Sequence, residues 1–385
     1  MSYSLTSHEF DQIDIDNIIK LFNSKRLTMG KHVVEFEKIF ARFHNRKYAV
    51  MTNSGSSANL LMIASLVESG NLNPGDEVIV PAVSWSTTYF PLTQYGLIPV
   101  FVDVSLDTFS LDESKVLKCI KDSNIKAILN VPLLGYYAHS QAIKNLCAEL
   151  DILYLEDCCE AFGSNFQAVK AGELGDMSTF SFFYSHQLPA IEGGCVLTDS
   201  KNIYDYLLSL RAHGWTREIK GESSLEVEQD EFVRSFRFVL PGYCLRPTEI
   251  NAVLATERLK RWEDKKQMRD ANHSKFISEF GRNGKLTIQN SHSGMSAFGF
   301  GVICESTAVR RLIVDEYKKQ GIEVRPIVAG NFTKNPVIER IANKVHGNLE
   351  NADKIDACGF FLGNHASDLS SSISLAANVA SQFTK

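Results

Sequence analysis

Four short apolar runs set the architecture: GDEVIVPAV at 75–83, IPVFVDV at 98–104, KAILNVPLLG at 126–135 and DILYLED at 151–157. Each is rich in β-branched residues and too continuous to leave one face in water, the pattern of a strand covered on both sides. Before and between them lie SANLLMIASLVESG (57–70), ESKVLKCIKD (113–122) and SQAIKNLCAEL (140–150), with apolar residues at helical spacing. Strands alternating with helices predict a mainly parallel α/β sheet. The pattern changes after about residue 240. There the polar SLEVEQDEF gives way to RFVLPGYCLRP and a long charged helix candidate over 249–280. Beyond it, GMSAFGFGVIC and GIEVRPIV read as strands around the helix ESTAVRRLIVDEYKKQ. The expectation is a large α/β domain over 1–244 and a smaller α+β domain over 245–385.

The 385 residues are 22% charged and 44% hydrophobic, which is globular composition. Forty Lys and Arg stand against 45 Asp and Glu, a net charge of -5. Without a basic tract, that balance argues against a dedicated nucleic-acid binder. The apolar run Leu60 to Val67 is far short of a spanning helix, and the polar start MSYSLTSHEFDQIDID lacks a signal-peptide core, so no membrane association is expected. Eight cysteines without a CxxC pair suit neither a zinc site nor a disulfide scaffold. They read as reduced thiols of a cytoplasmic protein, with no metal expected.

Three segments could carry chemistry. In TNSGSSANLLMIA (52–64), Ser54 or Ser56 can cap a helix whose free N–H groups suit a phosphate, or simply cap it. In DILYLEDCCEAFGS (151–164), a strand runs into Glu156 and Asp157, with Glu160 three further on. Ligands in open parallel sheets sit at such strand ends, although an acid there also serves as a helix cap. In GDMSTFSFFYSHQLPAIEGGCVLTD (175–199), an aromatic run leads to Ser185-His186, where a histidine is either a packed core residue or a base.

The order and spacing of these segments resemble the fold type I pyridoxal-phosphate enzymes, specifically the sugar aminotransferases acting on nucleotide-linked keto sugars. The resemblance spans nearly the whole chain. It rests on KRLTMGKHVVEFEKIFA, SGSSANL, VPAVSWSTTYFPLTQYG, LEDCCEAFGS, SFFYSHQLPAIEGG, RAHGWTR, PGYCLRPTE and RPIVAGNF. It implies the aspartate-aminotransferase-like fold and pyridoxal 5'-phosphate or pyridoxamine 5'-phosphate as cofactor. In most of the family the position of His186 is a lysine that fixes the cofactor covalently, and here no lysine occurs from Ala171 to Ser200. Histidine at that position marks sugar 3-dehydratases. One kind also holds an iron–sulfur cluster on C-terminal cysteines with CxC-type spacing; this chain has no CxC, so no cluster is expected.

By resemblance, Gly55, Ser56 and Ser181 would hold the cofactor phosphate. Trp85 would stack on the ring, Asp157 would pair with its nitrogen, and Glu160 would contact the region of its hydroxyl. His186 would be the base, an imidazole titrating near neutrality. Substrate would meet Lys25, Arg26, Leu27, Thr28, His213, Arg217, Arg246 and Glu323, with Arg217 and Arg246 suited to a diphosphate. Cys244 stands where the family has an asparagine reaching the neighbouring subunit's phosphate, and a thiol is a weak donor. The implied activity is removal of the C3 hydroxyl from a GDP-linked 4-keto-6-deoxy sugar by a homodimer with interfacial sites, glutamate recharging the cofactor. A 6-deoxyheptose substrate and an atypical aminotransferase are the alternatives.

Overall fold

The computed structural model describes residues 3–7 and 10–384. Eight strands form the main sheet: β1 (Tyr48–Thr52), β2 (Glu77–Pro81), β3 (Ile98–Val102), β4 (Ile125–Asn130), β5 (Leu153–Asp157), β8 (Met177–Ser181), β9 (Gly194–Thr198) and β13 (Lys344–Val345). A small hairpin, β6 (Asn165–Phe166) with β7 (Val169–Lys170), lies outside it. The order across the sheet is β1-β9-β8-β5-β4-β2-β3-β13. Pairings from β13 through to β8 are parallel, and β9 runs against both its neighbours. The chain therefore has the fold type I architecture, a large and mostly parallel sheet buried on both faces.

The alternation that makes these strands doubly buried also sorts their side chains. Val78 and Val80 enter one core with Leu61, Leu129 and Leu155, beneath the helices Gly55–Glu68 and Lys201–Arg211. Ile79 and Tyr154 enter the opposite core with Ile128, Ile143 and Cys147. Because strand side chains alternate, Asp157 shares the face of Leu155 and looks toward the helix Gly55–Glu68, while Glu156 looks the other way. This single parity puts one acid in the site and the other in the core.

A second, antiparallel sheet is ordered β10 (Leu286–Ile288), β11 (Gly299–Cys304), β14 (Gly359–Gly363) and β12 (Val324–Arg325). Its core includes Phe276, Phe280, Ile313, Tyr317, Ile355 and Ile373 from the helices Trp262–Phe280, Thr307–Lys319, Glu350–Cys358 and Ser370–Gln382. The long helix expected over 249–280 is two helices, Glu249–Lys260 and Trp262–Phe280, broken at Arg261 (φ -105°, ψ 14°). The first packs on the helices Gln12–Asn23 and Lys31–Phe43, with Ala252 and Leu254 in the core of the large sheet. The second belongs to the small sheet. Packing thus changes side just beyond Arg261, since Trp262 still meets Phe162 in the large-sheet core, and β13 returns from the C-terminal part to the edge of the large sheet. Among the described residues, no helix is long and apolar enough to cross a membrane.

Candidate active site

The helix Gly55–Glu68 begins where β1 ends. Ser54, not Ser56, is its N-cap, accepting from the Ser57 amide at 3.0 Å. Gly55 sits so close to the end of β8 that a Cβ built on it would lie 2.5 Å from Ser181 Cβ, 2.9 Å from Ser181 Oγ and 3.1 Å from Cys159 Sγ. On the other side, a Cβ on Gly194 would meet Ser54 O at 2.4 Å. The result is a cradle that only glycine permits. The Gly55 and Ser56 amides lead the helix, the Ser181 hydroxyl lies against them, and Ser56 Oγ reaches Thr87 Oγ1 at 3.1 Å. Helix-terminal N–H groups beside hydroxyls favour a phosphate.

Asp157 is 5% exposed at the end of β5. Oδ2 accepts from Asn59 Nδ2 and Thr88 Oγ1, both at 2.8 Å, and Oδ1 accepts from the Cys159 amide at 3.2 Å. Asn59 is in turn fixed by Thr179 Oγ1 at 2.6 Å. Three donors hold a buried carboxylate in one orientation and leave it acceptor capacity for a protonated ring nitrogen. Trp85, 58% exposed, stands at the N-terminus of the helix Ser86–Gln94, with an indole large enough to cover a pyridine ring. Cradle, acid and indole therefore fit a pyridoxal phosphate. Asn59, Thr87, Thr88 and Thr179 are the parts that sequence reasoning missed. The available signal was helical phase: Asn59 lies one turn beyond Gly55, and Thr88 three residues beyond Trp85.

Glu160 Oε2 accepts from the Leu134 amide at 3.0 Å. Burial pushes its pKa up to about 7, with the Leu134 bond opposing and the Asp157 charge adding. Glu156, accepting from Gly175 N at 2.9 Å, is likewise raised to about 7 by burial, on the opposite face. His186 occupies the turn after β8, its ring 5.1 Å from that of Phe298 and 6.2 Å from that of Phe183. Burial pulls its pKa down to about 4, below the near-neutral titration expected from the sequence; the Cys159 backbone partly offsets this and Arg269 adds to it. At neutral pH the imidazole is thus uncharged and able to accept a proton. Its neighbour Gln187 locks the turn, donating to Glu160 O at 2.6 Å and Ser296 O at 3.3 Å.

The other expected residues fall into one group and one outlier. His213, Arg217 and Arg246 surround Trp215, which sequence reasoning also passed over. The His213 ring lies 5.0 Å from it, the Arg217 guanidinium 3.5 Å and the Arg246 guanidinium 5.9 Å. His213 has φ 65°, a left-handed backbone that is costly for a side-chain-bearing residue and concentrates at functional sites. Arg211, 1% exposed, anchors the segment through Glu37, Glu218 at 2.7 Å and Met51 O at 2.9 Å. Leu245 O accepts from Asn53 N beside the cradle, and Thr28 bridges Thr248, which draws Lys25, Arg26, Leu27 and Thr28 to the same side. Cys244 is exposed and bridges Ala212, with Arg246 Nη2 at 3.5 Å from its sulfur. Glu323 is the outlier. Its carboxylate accepts from Leu5 N at 3.1 Å, fastening the N-terminal segment to the small domain, and among the described residues no hydrogen bond or ion pair links it to the others. No group of three His, Cys, Asp or Glu among the described residues could hold a metal ion.

A glycine-framed helix terminus, a buried strand-end acid and an exposed indole on a mostly parallel sheet are the parts of a fold type I pyridoxal-phosphate site. The chain belongs to the DegT/DnrJ/EryC1/StrS aminotransferase family, which matches residues 9–371. It is 42% identical over 376 residues to GDP-4-keto-6-deoxy-D-mannose 3-dehydratase of Escherichia coli, covering 96% of this chain and 97% of that one. A solved structure of the E. coli enzyme with bound hydrated pyridoxal phosphate superposes with a TM-score of 0.95 at 41% identity, over 99% of both chains. Another structure of a GDP-4-keto-6-deoxymannose 3-dehydratase, with a trapped pyridoxal phosphate–glutamate geminal diamine, gives 0.94 at 42% identity over 98% of this chain and all of that one.

Proposed function

We propose that this protein is a pyridoxal/pyridoxamine phosphate-dependent 3-dehydratase of GDP-4-keto-6-deoxymannose, yielding a 4-keto-3,6-dideoxy sugar and ammonia, with glutamate as amino donor. The observation that carries it is His186 in the turn after β8, beside an intact cradle, with no lysine between Ala171 and Ser200. When bound, the cofactor supplies an amine for the C4 ketone and a ring that accepts an electron pair. Gly55, Ser56 and Ser181 hold its phosphate, Trp85 covers the ring, and Asp157 keeps the ring nitrogen protonated. His186, uncharged at neutral pH, would be the group that accepts a proton beside the bound cofactor. Arg217 and Arg246 receive the substrate's diphosphate, and Lys25 to Thr28 and His213 close the pocket around it.

The working form is a homodimer. Supporting it are the exposed apolar residues Ile15, Ile19 and Phe22, one stripe of the helix Gln12–Asn23, and Phe232, Phe236 and Phe238, the second of them beside Arg217. Eight unpaired cysteines suit the reducing cytoplasm. The test is incubation of purified protein with the cofactor, glutamate and GDP-4-keto-6-deoxymannose. Equal amounts of ammonia and a sugar lacking the C3 oxygen are expected; an amino sugar that keeps its C3 hydroxyl would refute the reading.

A further inference from the structure

Arg269 is a buried cation to which the mechanism above gives no task. It lies in the helix Trp262–Phe280, is 3% exposed, and its chain neighbour Asp270 is paired with Lys266. Its hydrogen bonds go instead to neutral carbonyls: Nη1 to Asn364 O at 2.6 Å, and Nη2 to Ala297 O at 2.9 Å and Phe298 O at 3.3 Å. Nε has no partner. Burial lowers its pKa to about 10, which still leaves it charged at neutral pH. A buried charge bonded to neutral carbonyls is expensive even with the Asp270 charge offsetting part of the burial, and a neutral donor would tie three carbonyls for less. What the charge itself acts upon is the question.

The answer lies across the cavity that Arg269 lines together with Tyr184, Ser185, His186 and Gln187. Two of its carbonyl partners, on Ala297 and Phe298, belong to the segment that backs His186: the Phe298 ring packs on the imidazole, and Ser296 O holds Gln187. Among the described residues, none stands in hydrogen-bonding geometry to the buried His186 Nδ1. The remaining charged groups on the cavity wall are mutually engaged or more exposed. Arg258 pairs with Asp14, Arg261 with Asp11 and Asp14, and Lys265 is solvent-facing. Tyr184 and His365 also line the wall, and Glu160, behind Gln187, is occupied by the Leu134 amide.

We propose that Arg269 is a positioning residue for His186: it fixes the Ala297–Phe298 backbone against which the imidazole packs, with its own cation held on the same cavity wall. The inference rests on the assignment of His186 as the base. Arg269→Met removes the charge at similar volume, and Arg269→Lys keeps it. Both are made in the full chain, and His186 is followed by NMR of ring-labelled histidine, its signal assigned by loss in His186→Asn. In Arg269→Met the His186 titration midpoint should move up by about half a unit or more, with turnover falling and KM little changed. In Arg269→Lys the midpoint should stay near native. Should Arg269→Met fail to fold, Arg269→Lys decides alone. A midpoint that does not move in Arg269→Met, or that rises in Arg269→Lys, overturns the proposal. Failure of the His186 assignment is seen separately, as native turnover in His186→Asn.

Discussion

Gly55→Ala probes the cradle directly. The new methyl would lie 2.5 Å from Ser181 Cβ and 3.1 Å from Cys159 Sγ. Neither neighbour is the tip of a flexible chain: Ser181 ends β8, registered against Gly194 of β9, and Cys159 follows Asp157 by two residues. The helix terminus must therefore back away from the strand end. Overpacking of this kind costs about 1–3 kcal/mol. With an unfolding entropy of about 2 cal/mol/K per residue, that lowers the thermal midpoint of a chain this long by about 1–4 °C. Displacing the helix amides also weakens at least one charge-assisted bond to phosphate, worth about 1.5–3 kcal/mol, so the dissociation constant for pyridoxal phosphate should rise about 10- to 150-fold. Ser181→Gly removes the colliding Cβ. With the Cys159 contact remaining, the double variant should recover most of the loss relative to Ser181→Gly alone while still lacking the Ser181 hydroxyl's bond to the cofactor. Differential scanning calorimetry and fluorescence titration with the cofactor read both effects. If Gly55→Ala melts and binds like the native protein, or Ser181→Gly fails to relieve it, the cradle is not built as described.

Asp157→Asn should lower turnover about 10³-fold or more, on the order of 4 kcal/mol of barrier, while much of the phosphate affinity survives. An amide cannot keep the ring nitrogen protonated, and either flip turns its NH2 toward a donor, Asn59 and Thr88 on one side or the Cys159 amide on the other. Trp85→Ala, at an exposed position, should leave the thermal midpoint unchanged yet raise the cofactor's dissociation constant about 2- to 12-fold, measured by titration. Acid should destabilise the fold. Burial lowers the pKa of His44 to about 3 and those of His139, His186 and His273 to about 4. Below about pH 6.5 the unfolded chain takes up protons that the native state refuses, so stability falls toward pH 4. Glu156 and Glu160, raised to about 7, work the other way, their stabilisation lost as pH climbs through 7. His292 is lowered by burial as well, and Glu37 and Glu192 are raised, so the carboxylates offset part of the loss and the imidazoles keep the larger share below pH 6.5. A thermal midpoint that holds steady between pH 6.5 and 5 would count against these buried neutral imidazoles.

The sheet was legible because burial on both faces writes itself as unbroken apolar runs, and GDEVIVPAV, IPVFVDV and DILYLED each became a strand. The direction of β9 was not, because CVLTD reads the same in either sense, nor was β13, whose two residues carry no pattern. The helix break at Arg261 is equally silent in composition: its consequence, one half on each domain, comes from tertiary packing. The strand-end acids were visible as a pair. Only the parity of β5 shows why Asp157 looks at the helix Gly55–Glu68 and Glu156 at the core. Asp157's partners Asn59 and Thr88, and Thr179 that fixes Asn59, come from three separate elements, so no local spacing announces them. Arg217 and Arg246 could be named from motifs, but that Trp215 gathers them is a fact of the fold.

The claim on which the functional account turns is that the cofactor is held without a covalent bond to the chain, because His186 stands in the turn where a lysine would otherwise fix it. Borohydride reduction of the protein loaded with pyridoxal phosphate, followed by intact-chain mass measurement, tests it most directly. The account predicts an unmodified chain mass, with all reduced cofactor released on denaturation. A stoichiometric mass increase, mapped to a pyridoxyl-lysine peptide, would contradict it.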